Sequence, residues 1–296
     1  DFIQSIIMSV ALIIVFIFGI NIAGGIPAVV ENAQSLPGYL TMMTTYDPVA
    51  GVEQPYPIIN IISMIAWGLG YFGMPHILLR FMAIEDEEKL TLSRRVATIW
   101  VVISLAVAVL IGVIGLAMSD VGALKTLTGS DSETIIVQIA DLLSKHGILP
   151  ALLAGTILAG ILASTMSTAD SQLLAASSAV SSDLFGDRVA KTGDKKQAMN
   201  AARFTLLAIA VIAAFIARDP NSSVFGIVSF AWAGFGAVFG PVVLFALFWR
   251  RSNWQGALAG MISGGAMVFI WKYLVRPLGG VWNIYELLPL SAYHAL

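Results

Sequence analysis

The sequence predicts an all-α transmembrane protein, and three observations carry that prediction. The chain is 58% hydrophobic and only 11% charged, whereas soluble domains carry about 25% charged residues. Apolar stretches recur that reach the length of about 20 residues that a helix needs to cross a bilayer. These stretches lack the alternation of β-strands, and a backbone within lipid must satisfy its own hydrogen bonds, so each stretch is expected to be helical.

Seven stretches of the sequence meet the length requirement for a membrane-spanning helix, and together they make one transmembrane domain, 1–296. They lie at about 2–26, 57–83, 96–119, 148–182, 201–218, 222–249 and 255–275. The connection 31–57 is rich in proline, so a helix running through it is not expected. Because the chain starts without Met and ends in a further apolar segment, we expect an internal piece of a longer protein.

The composition excludes several classes of function. The net charge of −2 gives no indication of a nucleic-acid partner. The absence of Cys excludes disulfides, thiolate metal sites and cysteine nucleophiles. His76, His146 and His294 are too scattered to suggest a metal-ligand cluster, and no nucleophile–base pair indicates an intramembrane enzyme. No organic cofactor is indicated.

The distribution of Lys and Arg predicts the orientation in the membrane. These residues concentrate in 80–95, 183–203 and 250–251, which fall on one side if the seven spans alternate. An excess of Lys and Arg marks the cytoplasmic side. Asp1 is then expected at the cytoplasmic end of the first span.

A stripe of hydroxyl side chains is predicted along one face of the fourth span. Ser164, Ser167, Thr168 and Ser171 follow the i, i+3, i+4, i+7 spacing of one helix face. Hydroxyl and carbonyl oxygens can replace the hydration shell of a hard cation such as sodium. The alternative is helix packing, because small hydroxyl residues are common where membrane helices touch.

Asp170 lies beside this stripe, in the middle of the same span. A carboxylate at mid-membrane costs about 2.5–3.5 kcal/mol on insertion scales, so one found there usually faces a cavity, a partner or an ion path. Its offset from Thr168 places it off the stripe, which suggests an indirect or water-lined role in sodium binding. The alternative is a charged partner elsewhere in the protein.

The second span carries a predicted break. Its helix-breaking residues are Gly68, Gly70, Gly73 and Pro75. In membranes such breaks persist where they line a cavity or are buried in protein, and transporters bind substrate there. Trp67 and Tyr71 lie one turn apart beside the break, and their rings could wall a compact apolar substrate. The alternative is an aromatic belt at the membrane interface.

Two further glycine-rich stretches are expected to pack against neighbouring helices. In the sixth span the helix-bending or small residues are Gly234, Gly236, Gly240 and Pro241. In the seventh span Gly256, Gly260 and Gly264 recur at four-residue spacing.

Three long motifs, in this order, resemble the sodium:solute symporter family, and most strongly its proline-transporting members. The motifs read WGLGYFGMPHILLRFMA, ILASTMSTADSQLLAASSAVSSDLF and VFGIVSFAWAGFGAVFGPVVLF. The resemblance implies a partial leucine-transporter-type inverted-repeat helix bundle. The first span would close one repeat, spans two to six would form the other, and the seventh would be accessory.

The resemblance also implies the residues of the sites. Sodium would be bound by the backbone carbonyl of Ser164 and by the hydroxyls of Ser167 and Thr168. The substrate would face Trp67, Tyr71 and Pro75. Asp1 matches a carboxylate that influences sodium use. The sequence departs from the pattern of the proline transporters at Met74, where those members carry Gln.

The function implied is a sodium-coupled symporter in the cell (inner) membrane that imports L-proline or a similar small amino acid. Its partners would be the sodium ion, the solute and the lipid bilayer. Two alternatives stay open: a symporter for another small solute, and a transporter-like sensor module that precedes signalling domains.

Overall fold

The computed structural model describes residues 2–180, 195–218 and 223–278, and these are mostly helical. The helices are α1 Phe2–Ile22, α2 Ile26–Ser35, α3 Ile58–Ala66, α4 Pro75–Met82, α5 Glu87–Asp120, α6 Ile135–Ser144, α7 Ile148–Ala179, α8 Lys195–Ile216, α9 Val224–Phe248 and α10 Trp254–Ile270. Three-residue-per-turn helix occurs at Trp67–Gly73, Gly129–Thr134 and Arg276–Leu278, and a π-helical turn at Trp271–Val275.

Within the described residues, six helices are long and apolar enough to cross a membrane. They belong to α1, α5, α7, α8, α9 and α10 with its π-helical extension. A seventh crossing is available if 60–73 and Pro75–Met82, which meet at a bend of 55°, count as one span. The prediction of an all-α, multi-pass membrane protein is therefore confirmed, whereas the inverted repeat and the orientation stay predictions.

The first span ends earlier than the sequence suggested, at Ile22 rather than near residue 26. Gly24 and Gly25 have φ angles of +93° and +95°, a region that glycine enters without the penalty of a Cβ atom. The chain turns there and starts α2, which has Pro27 in its first turn, where a missing N–H costs nothing.

The connection after α2 contains a β-hairpin that the sequence analysis did not predict. Strands β1 Thr44–Asp47 and β2 Val52–Pro55 pair antiparallel. The Asp47 carboxylate accepts hydrogen bonds from two backbone N–H groups of the turn, at 2.9 and 3.1 Å, and Gly51 closes the turn at φ +68°. The prolines therefore exclude a long helix, as expected, but they leave room for two short strands.

Helix α5 begins at Glu87, well before the predicted apolar boundary near residue 96. The Asp86 side chain accepts a hydrogen bond of 3.1 Å from the N–H of Glu88, which caps the helix. Glu85 and Lys89 add an ion pair of 2.9 Å at the same end. Capping and polar pairing extend a helix beyond its apolar part, and hydropathy does not register them.

The most enclosed part of the molecule lies between α1, α5, α6 and α7. Its buried side chains include Val15, Ile114, Met118, Ile139 and Ile157. Gly19 brings α1 close to α5, because a Cβ atom there would lie 2.7 Å from a methyl of Ile114. Close packing of this kind, rather than hydrophobic transfer, is what associates helices in lipid.

A second packed group consists of the segment Trp67–Gly73, α9 and α10. Helices α9 and α10 touch at Gly264, where an added Cβ atom would overlap the backbone carbonyl of Ala237. Helix α4 contacts α7, which links this group to the first one.

We predict that Gly264→Ala destabilises the full-length protein by about 1–3 kcal/mol, because backbone atoms cannot yield to an added methyl group. Gly155→Ala on α7 is the matched control, since no atom of the described residues lies within 4 Å of the added Cβ atom. This substitution should leave the stability unchanged or raise it by up to about 1 kcal/mol, because Ala has a higher helix propensity than Gly. Thermal unfolding in detergent compares the two, and equal melting temperatures would contradict the packing described.

Candidate functional site

The predicted break in the second span is present in the structure. Helix α3 passes into the tighter segment Trp67–Gly73, and the backbone then extends at Met74, with φ −86° and ψ 107°. Pro75 starts α4, as expected of a residue whose ring excludes the preceding helical turn but fits a first helical position. The glycines and this proline together explain why the span bends.

An aromatic array covers the break on the α9 side. The Trp67 ring stacks on Phe225 and on Trp232, with centroid distances of 5.3 and 6.0 Å. Tyr71 meets Trp232 edge to face at 5.2 Å. Trp67 therefore belongs to a ring stack that joins the broken segment to α9, which argues against a lone ring in an interfacial belt.

The proposed substrate-facing residues differ in exposure. Trp67 is partly buried, whereas Tyr71 is 50% exposed and Pro75 is exposed as well. Met74 is only 1% exposed, so its thioether packs into the protein. The open surface of the break therefore includes Tyr71 and Pro75, along with Leu69 and Phe72, whereas Met74, where the sequence departs from the proline transporters, is buried.

Glycines allow the break to approach the α9 backbone directly. A Cβ atom on Gly236 would lie 2.8 Å from the Cα atom of Gly70, and one on Gly73 would overlap the carbonyl of Phe235. The predicted packing role of the glycine-rich sixth span is confirmed at Gly236. At Gly234, by contrast, no described residue lies within 4 Å of an added Cβ atom.

The hydroxyl stripe lies on a helix that is continuous from Ile148 to Ala179. Ser164, Ser167 and Ser171 are partly buried and Thr168 is exposed. The hydroxyl of Ser171 donates to the backbone carbonyl of Thr168 at 2.9 Å. The stripe is thus one oxygen-bearing face, of which Thr168 is accessible in the part of the chain that the structure describes.

Helix α1 borders this face. The Gln4 side-chain amide donates to the carbonyl of Ala163 at 3.1 Å, and Ile7 lies against Gly160. The contact fixes α7 against α1 immediately beside Ser164. No sequence motif marks Gln4, and only the packing of the two helices identifies it.

Two carboxylates, Asp1 and Asp170, are predicted to influence sodium use, and the structure describes only Asp170. Asp170 is exposed on α7 and makes no ion pair with any described residue. Asp1 lies outside the described residues. Across residues 2–180, 195–218 and 223–278, no group of three His, Asp or Glu side chains could hold a metal ion.

The structure groups the predicted residues into two surfaces rather than one. Trp67 and Tyr71 meet through Trp232, and the serine and threonine residues share one face of α7. Helix α4, which begins at Pro75, contacts α7 and so joins the two surfaces. Sequence reasoning missed Phe225 and Trp232, although their i, i+7 spacing on one helix face could have revealed them.

Glu133 is a further residue that sequence reasoning missed. Its carboxylate accepts hydrogen bonds from the hydroxyl of Ser223 at 2.7 Å and from the N–H groups of Val224 and Phe225 at 2.9 and 3.2 Å. A carboxylate is favoured at a helix N-terminus, where unpaired N–H groups carry partial positive charge. Glu133 therefore anchors the start of α9, next to the ring that stacks on Trp67.

We predict that Glu133→Ala loosens the first turn of α9. Loss of a helix cap costs about 0.5–2 kcal/mol, so amide exchange at Val224 and Phe225 should accelerate by about twofold to thirtyfold. Asp131→Ala is the matched control, because this neighbouring carboxylate makes no bond to α9. Equal exchange rates in both variants would contradict the anchoring role. Hydrogen–deuterium exchange of the full-length protein measures the effect.

Comparison with known proteins identifies the family. The sequence model of the sodium:solute symporter family matches residues 1–264. The "High-affinity proline transporter PutP" of Bacillus subtilis is 40% identical over 92% of this chain and 54% of its own length. The "Sodium/proline symporter" of Salmonella typhimurium is 41% identical over 78% of this chain and 44% of its own length.

The "Osmoregulated proline transporter OpuE" of Bacillus subtilis is 37% identical over 98% of this chain and 55% of its own length. The chain thus spans about half the length of the curated relatives that it matches. No solved structure matches it. The family match over most of the chain, together with these identities, shows that the chain belongs to the sodium:solute symporter family.

Proposed function

We propose that the protein of which this chain is part is a sodium-coupled symporter in the cell (inner) membrane that imports L-proline or a similar small amino acid. The observation that carries the proposal is the glycine-broken span with an exposed aromatic and proline surface, in a chain about 40% identical to proteins named proline transporters. A broken helix near the membrane midplane is where transporters of this architecture bind substrate.

The sodium ion is proposed to bind at the hydroxyl face of α7. The hydroxyls of Ser167 and Thr168 and the carbonyl of Ser164 offer the uncharged oxygens that suit a monovalent hard cation. The Ser164 carbonyl already accepts a helical hydrogen bond, yet a carbonyl oxygen has a second lone pair. An ion bound here needs further oxygen ligands, because three do not replace a hydration shell.

The substrate is proposed to bind against the open surface of the break. The rings of Tyr71 and Pro75 present apolar area that a pyrrolidine ring could cover. The amino end of α4 begins at the same place, and its partial positive charge favours the carboxylate of an amino acid. Because Met74 is buried, its difference from the glutamine of other members changes the packing behind this surface.

The membrane voltage supplies the driving force for accumulation. One charge moved through 100 mV yields about 2.3 kcal/mol, and about 1.4 kcal/mol corresponds to a tenfold ratio. One sodium ion with a net-neutral amino acid therefore supports roughly fifty-fold accumulation before any sodium gradient is counted.

We predict that Thr168→Ala in the full-length protein raises the sodium concentration for half-maximal proline uptake by about tenfold, the equivalent of about 1.4 kcal/mol. Thr165→Ala is the matched control, since Thr165 lies off the stripe and its hydroxyl donates to the Ile161 carbonyl of its own helix at 2.9 Å. Uptake in proteoliposomes at varied sodium gives the values. Unchanged sodium dependence in Thr168→Ala would reject the sodium site.

A panel of competing solutes tests the substrate. Unlabelled proline should inhibit uptake of labelled proline at lower concentrations than other amino acids or carboxylates do, because its ring matches the apolar surface of the break. A solute that inhibits at a clearly lower concentration than proline would replace it as the assigned substrate.

A further inference from the structure

We propose that Trp232 of α9 is a positioning residue that sets substrate affinity and selectivity by holding Trp67 and Tyr71 in place. The inference rests on the proposed function, because it assigns Trp232 to the same substrate surface. Trp232 lies on a different element from the two residues that it contacts, 165 and 161 positions further along the chain respectively.

Ring contacts show how Trp232 could act on both residues. Its indole stacks on Trp67 at an interplanar angle of 29° and meets the Tyr71 ring edge to face at an interplanar angle of 81°. Phe225 stacks on Trp67 at 24°, so Trp67 lies close to two rings of α9. Aromatic pairs prefer such offset-stacked and edge-to-face arrangements over others. Tyr71, half exposed, therefore has its orientation fixed from the buried side.

The position of the Trp232 indole is itself set by packing. Its Nε1 atom is enclosed and has no hydrogen-bond acceptor among the described residues. Instead the ring lies on Gly70, where an added Cβ atom would be 2.5 Å from Cδ1 and 3.0 Å from Nε1. Because no described residue holds the indole by a hydrogen bond, a change in its ring contacts or in Gly70 moves it.

The experiment measures proline uptake by the full-length protein in proteoliposomes. Trp232→Leu should raise the KM for proline about tenfold, which corresponds to about 1.4 kcal/mol. Trp232→Phe, which keeps a ring and removes the unpartnered N–H, should stay within about threefold of the wild type. The sodium concentration for half-maximal uptake at saturating proline should not change, because the proposed sodium ligands lie on α7.

A second variant changes Gly70, the residue on which the Trp232 indole lies. Gly70→Ala should also raise the KM for proline, since its methyl group displaces Trp232. Gly68→Ala is the matched control on the same segment, because no described residue lies within 4 Å of its added Cβ atom. If Trp232→Leu does not reach the membrane, the comparison of Gly70→Ala with Gly68→Ala decides the question, and equal KM values in the two variants overturn the positioning role.

The selectivity for proline over a larger ring distinguishes a positioning role from a structural one. A variant that only loses stability should transport less but keep this selectivity. Inhibition of labelled proline uptake by pipecolate, which has a ring larger by one carbon, is compared with inhibition by proline. Trp232→Leu should reduce the preference for proline at least threefold. Trp271→Leu is the control, because the enclosed Nε1 of this tryptophan also has no acceptor among the described residues, but its ring makes no contact with Trp67 or Tyr71.

The outcomes separate the inference from the proposed function. If Trp67→Leu and Tyr71→Leu raise the KM but Trp232→Leu does not, the positioning role is overturned and the proposed function stands. The positioning role is also overturned if Trp232→Leu and Trp271→Leu lower uptake equally without changing selectivity. If the wild type shows no sodium-dependent proline uptake, or the Trp67 and Tyr71 variants leave the KM unchanged, the proposed function is overturned.

Discussion

The direct backbone contact between the broken segment and α9 is the constraint on which the rest of this site depends. Gly70, Gly73 and Gly236 lack the side chains that would keep the two elements apart. Their close approach brings Trp232 over Gly70 and beside Trp67 and Tyr71. Glu133, which precedes α9 by about 90 residues in the sequence, anchors the start of this helix and so contributes to the same arrangement.

The two candidate surfaces differ in the regularity of the helices that carry them. The hydroxyl face belongs to α7, a continuous helix of 32 residues packed against α1 and α6. The aromatic surface belongs to a segment that changes helix type, extends at Met74 and bends by 55°. The contact between α4 and α7 joins these two surfaces.

Much of the fold was predictable because hydropathy and helix-breaking residues act locally. The spans were found from apolar length, and the break from the glycines around Pro75. The hairpin Thr44–Asp47 and Val52–Pro55 was missed because the prolines were interpreted only as breakers. The early start of α5 was missed because capping by Asp86 depends on hydrogen bonds that hydropathy does not record.

For this protein, the sequence by itself determined the membrane class, the approximate spans, the break, the oxygen-bearing face of α7 and, through its motifs, the family. Tertiary structure alone decided that Met74 is buried, that Tyr71 stays half exposed and that the ring of Trp232, on α9, lies against the break. The reason is physical. Periodicity and propensity are properties of neighbouring residues, whereas burial and ring contacts depend on which distant helices come together.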